Sequence, residues 1–333
     1  MSFKVDINAG EHTIEVGAGE TILDAALRLD VGLPYGCRNG ACGNCVSTLV
    51  DGRVAYPSGK TMALESAGEK ACLTCQAVPE SDLALSIKLV ETIKEIEVKT
   101  LPCRVVKHEA LTHDVMGVWI KLPDNQRLQF MAGQYLNFIL EDGRERAFSI
   151  ANAPHDDELI ELHIRHVDGG EFTRFVFEGL KDKSIMRIKA PLGSFILREE
   201  SERPMIFMAG GTGFAPIKGQ IEHALHIGDT RPMQIYWGVR DERDLYMGEL
   251  AQSWAYENDQ ISFIPVLSEP NSNWTGRTGF VHEAVVADNP DMSGFDLYMA
   301  GPPPMINAGK EAFMSAGLST DHMFSDAFDY AKD

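Results

Sequence analysis

Gly36-Cys37-Arg38-Asn39-Gly40-Ala41-Cys42-Gly43-Asn44-Cys45 is the stretch on which the reading of this chain turns. Its cysteines stand as C-x4-C-x2-C, and Cys75 further along supplies a fourth thiol. Four thiolates can hold two irons and two bridging sulfides, and this spacing is that of plant-type [2Fe–2S] centres. Gly36, Gly40, Ala41 and Gly43 are small, so the backbone can wrap tightly and aim amide N–H groups at the sulfurs. Another metal reading competes. Cys42-x2-Cys45 and Cys72-x2-Cys75 form the CxxC…CxxC pattern of a structural zinc ribbon. Zinc would leave Cys37 unused and would not need a glycine-padded loop. The cluster reading is therefore favoured, with Cys72 a bystander and Cys103 a small buried hydrophobe.

Five of the six cysteines lie between Cys37 and Cys75, the first sign of a modular chain. With 333 residues there is room for two or three domains, each with its own core. A hydrophobic content of 44% and a charged content of 24% are those of a globular protein. The net charge of −19 argues against nucleic acid as a partner, because phosphate binding needs a basic face. The opening Met-Ser-Phe-Lys-Val runs straight into strand-like alternation, so no signal peptide is expected. No run of about 18 apolar residues suggests a membrane span. The expected location is cytoplasmic, where clustered cysteines serve metals or redox chemistry more often than disulfides.

Around the cysteine loop, Phe3–Val16 reads as two strands about the turn Asn8-Ala9-Gly10, and Thr21–Leu29 as a short helix with Glu20 and Asp24 near its positive end. The charged stretch Leu85–Thr100 reads as a linker. Six candidate strands follow: Arg104–Ala110, Val115–Leu122, Tyr135–Leu140, Ala147–Ala151, Ile160–His166 and Ser184–Ala190. Their short spacing suggests an antiparallel barrel. After Pro204 apolar runs alternate with helical segments, so Met205–Met208, Met233–Trp237, Ser262–Pro265 and Asp296–Met299 are expected as parallel strands.

Two further groups of residues carry chemistry. Arg146 can make charge-assisted hydrogen bonds to a diphosphate, and Phe148, on the same strand face, can lie against a flat ring. Gly169-Gly170-Glu171-Phe172-Thr173 starts a helix whose free amides can approach phosphate, although a plain turn and cap fits equally well. Met205–Ala209 leads into Gly210-Gly211-Thr212-Gly213 and a helix over Ile217–His226, a strand–glycine turn–helix unit for a nucleotide phosphate. It is neither G-x-G-x-x-G nor a P-loop. Gly301-Pro302-Pro303-Pro304-Met305 ends another strand, and both loops are expected to line one crevice. After Met233–Trp237, Asp241 and Glu242 suit ribose hydroxyls, whereas Arg240 and Arg243 could attract a 2′-phosphate. NADH is favoured over NADPH, against the alternative that all four are solvated surface charges.

Together these motifs, in this order, resemble the ferredoxin–NAD(P)⁺ reductase superfamily, in the type that carries an N-terminal plant-type ferredoxin domain. Within it the chain is most similar to the CDP-6-deoxyglucoseen reductases and the reductase components of oxygenases. The resemblance implies a multidomain fold. A β-grasp-like [2Fe–2S] ferredoxin domain (α+β) would span 1–92, an antiparallel β-barrel FAD domain 98–200, and an α/β parallel-sheet nucleotide-binding domain 201–333. It implies a reductase that passes hydride from NAD(P)H to FAD, then single electrons to the cluster and on to a sugar-deoxygenating dehydrase or an oxygenase component. Cys37, Cys42, Cys45 and Cys75 would hold the cluster. Arg146 would hold the FAD diphosphate, Phe148 would sit against the isoalloxazine and Ser149 near its N5. His163, Ile164 and Arg165 would run along the flavin edge, and Gly170, Phe172 and Thr173 would meet the diphosphate. Gly210, Gly211, Thr212 and Gly213 would take the nicotinamide nucleotide's diphosphate, with Gly301, Pro302, Pro303 and Met305 beside the nicotinamide and Phe328 over the other flavin face. The family usually has Tyr at Phe148 and Cys at Ala300, so a hydroxyl and a thiol are missing here. A monomer is the simplest state for such a shuttle. Two rivals stand beside this reading: a flavin reductase with a zinc-ribbon docking module, and a regulator with decayed cofactor sites.

Overall fold

A computed structural model describes residues 2–29, 31–65, 67–90 and 96–328. The chain divides into two compact units, Met1–Glu97 and Val98–Asp333. The expected boundary at residue 92 lies outside the described residues.

In the first unit, β1 (Ser2–Ile7) and β2 (His12–Gly17) form an antiparallel hairpin. Asn8, Ala9 and Gly10 all take positive φ in its turn, which asparagine and glycine tolerate best. Val5, Ile7, Ile14 and Val16 alternate inward and are fully buried, the period-two pattern of a half-buried sheet. Helix α1 (Ile22–Arg28) starts at Thr21, whose hydroxyl accepts the Asp24 N–H at 3.1 Å. Glu20 directly precedes that cap, near the positive end as expected. Its carboxylate accepts the Gly17 N–H and pairs with Arg28 in the last turn of α1. The remaining strands are β3 (Val46–Asp51), β4 (Val54–Ala55), β5 (Ala71–Leu73), β6 (Val78–Pro79) and β7 (Leu83–Ser86). The main sheet runs β2-β1-β7-β3-β5, with β1 and β7 parallel, and β4 pairs with β6. The expected linker was drawn too wide: Leu85 and Ser86 belong to β7, and residues 91–95 lie outside the description.

The second unit holds two sheets. All six expected strands are present in the first: β8 (Lys99–Thr112), β9 (Val115–Lys121), β10 (Tyr135–Ile139), β11 (Glu145–Ser149), β12 (Ile160–Arg165) and β13 (Ile185–Leu192). They pair in the order β11-β10-β13-β8-β9-β12, all antiparallel. The sheet is not a closed ladder, and the isolated bridge Ile150↔Leu162 links its two ends. Helix α2 (Glu171–Glu178) packs Phe172 against Phe138 at 5.4 Å between ring centroids.

The other sheet is wholly parallel: β14 (Met205–Gly210), β15 (Met233–Val239), β16 (Ile261–Leu267), β17 (Arg277–Thr278), β18 (Asp296–Gly301) and β19 (Met323–Ala327). Helices α3 (Phe214–His226), α4 (Gly248–Glu257), α5 (Val281–Asp288) and α6 (Pro303–Ser315) connect or flank them. The order β17-β16-β15-β14-β18-β19 reverses between β14 and β18. Both strands are buried along their whole length, as parallel strands covered on two faces must be. The sequence did not suggest β17, which is two residues long, or β19, whose Ser325 and Asp326 break the apolar run.

Phe138 is 1% exposed and Ile185 is 70% exposed. Phe138→Ala is expected to cost about 3–5 kcal/mol through the cavity it leaves. Ile185→Ala should stay within about 0.5 kcal/mol. Urea unfolding midpoints of the two variants check the contrast.

Candidate functional site

The cysteine loop between α1 and β3 has no regular hydrogen-bond ladder, and its backbone turns through left-handed residues at Arg38, Gly40 and Gly43. Gly40 is constrained doubly: its φ is +85°, and a Cβ there would stand 2.1 Å from the Lys60 carbonyl oxygen. This winding turns amides toward sulfur. The Cys42 N–H reaches Cys37 Sγ at 3.4 Å, and the amides of Asn39 and Ala41 also serve Cys37. The Cys42 thiol and these amides together draw the Cys37 pKa down to about 6 despite burial. Cys75 is lowered mainly by the Cys45 thiol, with help from the Gly40 amide. Their partners Cys42 and Cys45 are raised because each donates to the other member of its couple and is buried.

The four sulfurs thus come as two couples, Cys37 with Cys42 and Cys45 with Cys75. Among the described residues no three cysteine sulfurs gather within 4.8 Å of one another. A single tetrahedral zinc would draw its sulfurs to roughly 3.8 Å apart, given Zn–S bonds of about 2.3 Å. Two couples lined with amide donors fit two irons bridged by sulfide. Cys72 is fully buried and stands outside the couples, its pKa pushed up to about 11 by burial. Cys103 is likewise buried, in the antiparallel sheet's core.

In the second unit, Arg146 and Phe148 share one face of β11, and Ser149 is buried at its end. The Phe148 ring lies 6.0 Å from Phe138 and 5.5 Å from Phe172 between centroids, so it is held by the sheet's own aromatics. The Ser149 hydroxyl donates to Asp326 at 3.1 Å. On β12, Ile164 is buried in the core, and the His163 side chain is 0% exposed. The His163 ring is pinned between Glu161 at 2.9 Å and the Tyr246 hydroxyl at 3.0 Å. Gly170 caps α2 without a side-chain acceptor, leaving first-turn amides for another partner. Phe172 faces the core, and the Thr173 hydroxyl bonds back to the Val167 and Gly170 carbonyls.

Gly210–Gly213 and Gly301–Met305 meet at the carboxyl ends of β14 and β18, where the strand order reverses. Ligands of open α/β sheets gather at such a switch point. A Cβ on Gly213 would lie 1.9 Å from the Ala300 carbonyl oxygen, so only glycine allows the two ends to touch. The Met305 sulfur lies over Gly210, and Pro302 and Pro303 open α6. The Trp237 indole N–H holds the Gly211 carbonyl at 3.0 Å. Thr212 is buried, and neither Gly211–Gly213 nor the start of α3 has a side-chain cap. The Arg165 guanidinium lies against Gly211; its Nε and Nη2 are buried without a hydrogen bond, and Nε stands 3.7 Å from an Asp114 carboxylate oxygen in an ion pair. Uncapped amides beside a guanidinium with donors not used in hydrogen bonds suit an anionic diphosphate.

At the end of β15, Arg240 bonds Asp244 at 3.2 Å and Asp114 at 3.3 Å, and Arg243 bonds Asp241 at 2.9 Å. Phe328 is partly buried against the parallel sheet's core, and its amide bonds the Gly301 carbonyl at 2.9 Å. Sequence reasoning missed Asp114, Glu161, Lys218, Tyr246 and Asp326. No local motif marks them, because each also takes a partner from a distant segment. Among the described residues no helix is long and apolar enough to cross a membrane.

Comparison with known proteins agrees with this geometry module by module. Residues 5–80 match the 2Fe-2S iron-sulfur cluster binding domain, 102–196 the oxidoreductase FAD-binding domain, and 207–311 the oxidoreductase NAD-binding domain. The CDP-6-deoxy-L-threo-D-glycero-4-hexulose-3-dehydrase reductase of Yersinia pestis is 38% identical over 98% of this chain and 99% of its own. The reductase component of phenol 2-monooxygenase from Pseudomonas sp. strain CF600 is 35% identical over 100% of this chain and 96% of its own. A crystal structure of an Amycolatopsis cytochrome P450 reductase superposes with a TM-score of 0.79 at 31% identity, covering 98% of each chain. The cluster-binding domain and its two couples of thiols set the zinc-ribbon rival aside. The chain belongs to the ferredoxin–NAD(P)⁺ reductase superfamily, as an NAD(P)H-dependent iron–sulfur flavoprotein reductase with an N-terminal plant-type [2Fe–2S] ferredoxin domain.

Proposed function

We propose that this chain is the reductase component of a two-protein system, drawing electrons from NADH and delivering them singly to a dehydrase that deoxygenates a sugar or to an oxygenase. The observation that carries this reading is the pair of thiol couples wrapped by amides in the first unit. FAD supplies the conversion from hydride to single electrons, and the cluster carries those electrons. Cys37, Cys42, Cys45 and Cys75 hold the irons. Arg146 and the α2 start at Gly170 and Thr173 take the FAD diphosphate, and Phe148, braced by Phe138 and Phe172, offers one ring face. Ser149, whose hydroxyl donates to Asp326, would meet the flavin's reacting edge. The bridge Ile150↔Leu162 supports reading the antiparallel sheet as a barrel, and the parallel β1–β7 pair supports a β-grasp for the first unit. Gly210–Gly213 and Arg165 would hold the dinucleotide diphosphate, and Gly301–Met305 would flank the nicotinamide. Hydride transfer needs positioning rather than acid–base catalysis, so the protein's contribution is to hold the two rings in contact. We place the protein in the cytoplasm as a monomeric shuttle.

The arginines after β15 support NADH. A 2′-phosphate needs free guanidinium charge, yet Asp114 and Asp244 occupy Arg240, and Asp241 occupies Arg243. Steady-state kinetics should give a kcat/KM at least ~10-fold higher for NADH, a difference of about 1.4 kcal/mol. Asp241→Ala should release Arg243 and raise kcat/KM for NADPH several-fold. A wild type that prefers NADPH would falsify this assignment.

Iron and acid-labile sulfide should each be found at about two per chain, without stoichiometric zinc. Cys75→Ser is expected to abolish the cluster's visible absorption and EPR signal, whereas Cys72→Ser keeps both. Full cluster assembly in the Cys75 variant would sink the ligand assignment.

A further inference from the structure

A chain of buried polar groups joins the antiparallel sheet to the parallel one, and the chemistry described so far leaves it unused. Lys218, in the second turn of α3, is 8% exposed and bonds Glu161 of β12 at 2.9 Å. Its ammonium also reaches Glu222 at 3.0 Å and the Ala151 carbonyl at 3.4 Å. Glu161 continues the chain to His163 at 2.9 Å, and His163 to Tyr246 at 3.0 Å. Burial opposes the charge on Lys218, but the Glu161 and Glu222 carboxylates outweigh it, and its pKa is raised. Burial likewise opposes the Glu161 carboxylate, yet His163 and Lys218 hold its pKa down to about 2. Both partners are therefore charged at neutral pH, inside the protein.

Such a pair is costly to bury and weak evidence for stability, whereas it fixes geometry well. The neighbours of Lys218 make the same contact tight. A Cβ on Gly219 would lie 2.9 Å from the Asn152 carbonyl oxygen, so the helix backbone seats directly on the loop that joins β11 to β12. Gln220, fully buried, donates to the Phe195 carbonyl at 3.2 Å. Five residues before Lys218 stands Gly213, the end of the phosphate loop. Two residues beyond His163 stands Arg165, whose guanidinium lies against Gly211.

We propose that Glu161 and Lys218 are positioning residues for hydride transfer. Their ion pair pins the first turns of α3, and with them the loop Gly210–Gly213, to the strand that carries His163–Arg165 along the flavin site. This rests on the proposed placement of FAD and NADH. The pair sets how the two rings meet and does not itself hold either ligand, so its loss falls on the rate of transfer and spares nucleotide affinity.

Anaerobic stopped-flow reduction of the flavin in the holoenzyme, over a range of NADH concentrations, tests this in Glu161→Gln, Lys218→Met and the double variant. Each single variant is expected to lower the limiting rate at least ~10-fold, with the NADH concentration for half-maximal rate changed less than ~3-fold and FAD content retained. The double variant should be no slower than the worse single one, because the two residues act as a unit. Hydrogen exchange of the holoenzyme without nucleotide should show faster exchange at Ala215–Ile221 in all three. The double variant removes both charges of the Glu161–Lys218 pair and leaves only Glu222, 26% exposed, without its ammonium, so it decides alone if a single variant does not fold. Wild-type limiting rates and exchange in it would overturn the proposal, as would a loss confined to NADH affinity. Failure of the wild-type flavin to be reduced at all would instead overturn the placement on which the proposal rests.

Discussion

Two backbones meet in this molecule where no side chain could stand between them. At the ends of β14 and β18, a Cβ on Gly213 would overlap the Ala300 carbonyl, and the first turn of α3 begins at that contact. Everything nucleotide-facing in the second unit follows from it. The strand order reverses there, the uncapped start of the helix is presented there, and Trp237 fastens the loop from the neighbouring strand. Any side chain at that glycine forces the loop away from the strand that carries Gly301, and the crevice loses one wall.

The same helix then bonds β12 of the antiparallel sheet through Lys218 and abuts the loop between β11 and β12 through Gly219. One element thereby carries both the phosphate loop and the contact to the other sheet. This is an economical solution for a reaction whose barrier falls chiefly by holding two flat rings in register. The departures at Phe148 and Ala300 leave this frame in place. Phe148 keeps its place through Phe138 and Phe172, and Ala300 is fully buried with its carbonyl against Gly213. The ring face therefore persists without a hydroxyl, and the strand end persists without a thiol.

The first unit solves a different problem by a related device. Sulfur bound to iron draws stability from amide donors, and regular strands and helices spend their amides on their own ladders. Left-handed turns at Arg38, Gly40 and Gly43 free those amides and point them at Cys37 and Cys75. The hairpin, α1 and β3 serve as the frame that holds both ends of that loop.

How much of this was legible beforehand depended on the range of the interaction. The C-x4-C-x2-C spacing, the glycine turns after apolar strands and the alternation of the six antiparallel strands are local, and local chemistry dictates them. Spacing alone set Cys72 apart from the proposed cluster ligands, and it is fully buried. What the sequence left open were partners brought from afar. Arg240 and Arg243 could be seen as charges, but their capture by Asp114, Asp244 and Asp241 required the fold. Strand β19 and Asp326 were invisible because pairing with β18, rather than an apolar run, makes that segment a strand. The buried line from Lys218 through Glu161 and His163 to Tyr246 joins residues without any shared motif. Covalent spacing along the chain determined the cofactor classes and the elements. Only the packing of one sheet against another decided which charges are spent, which are unsatisfied and which are held in fixed relation, because burial and distance set the strength of a charge's interactions.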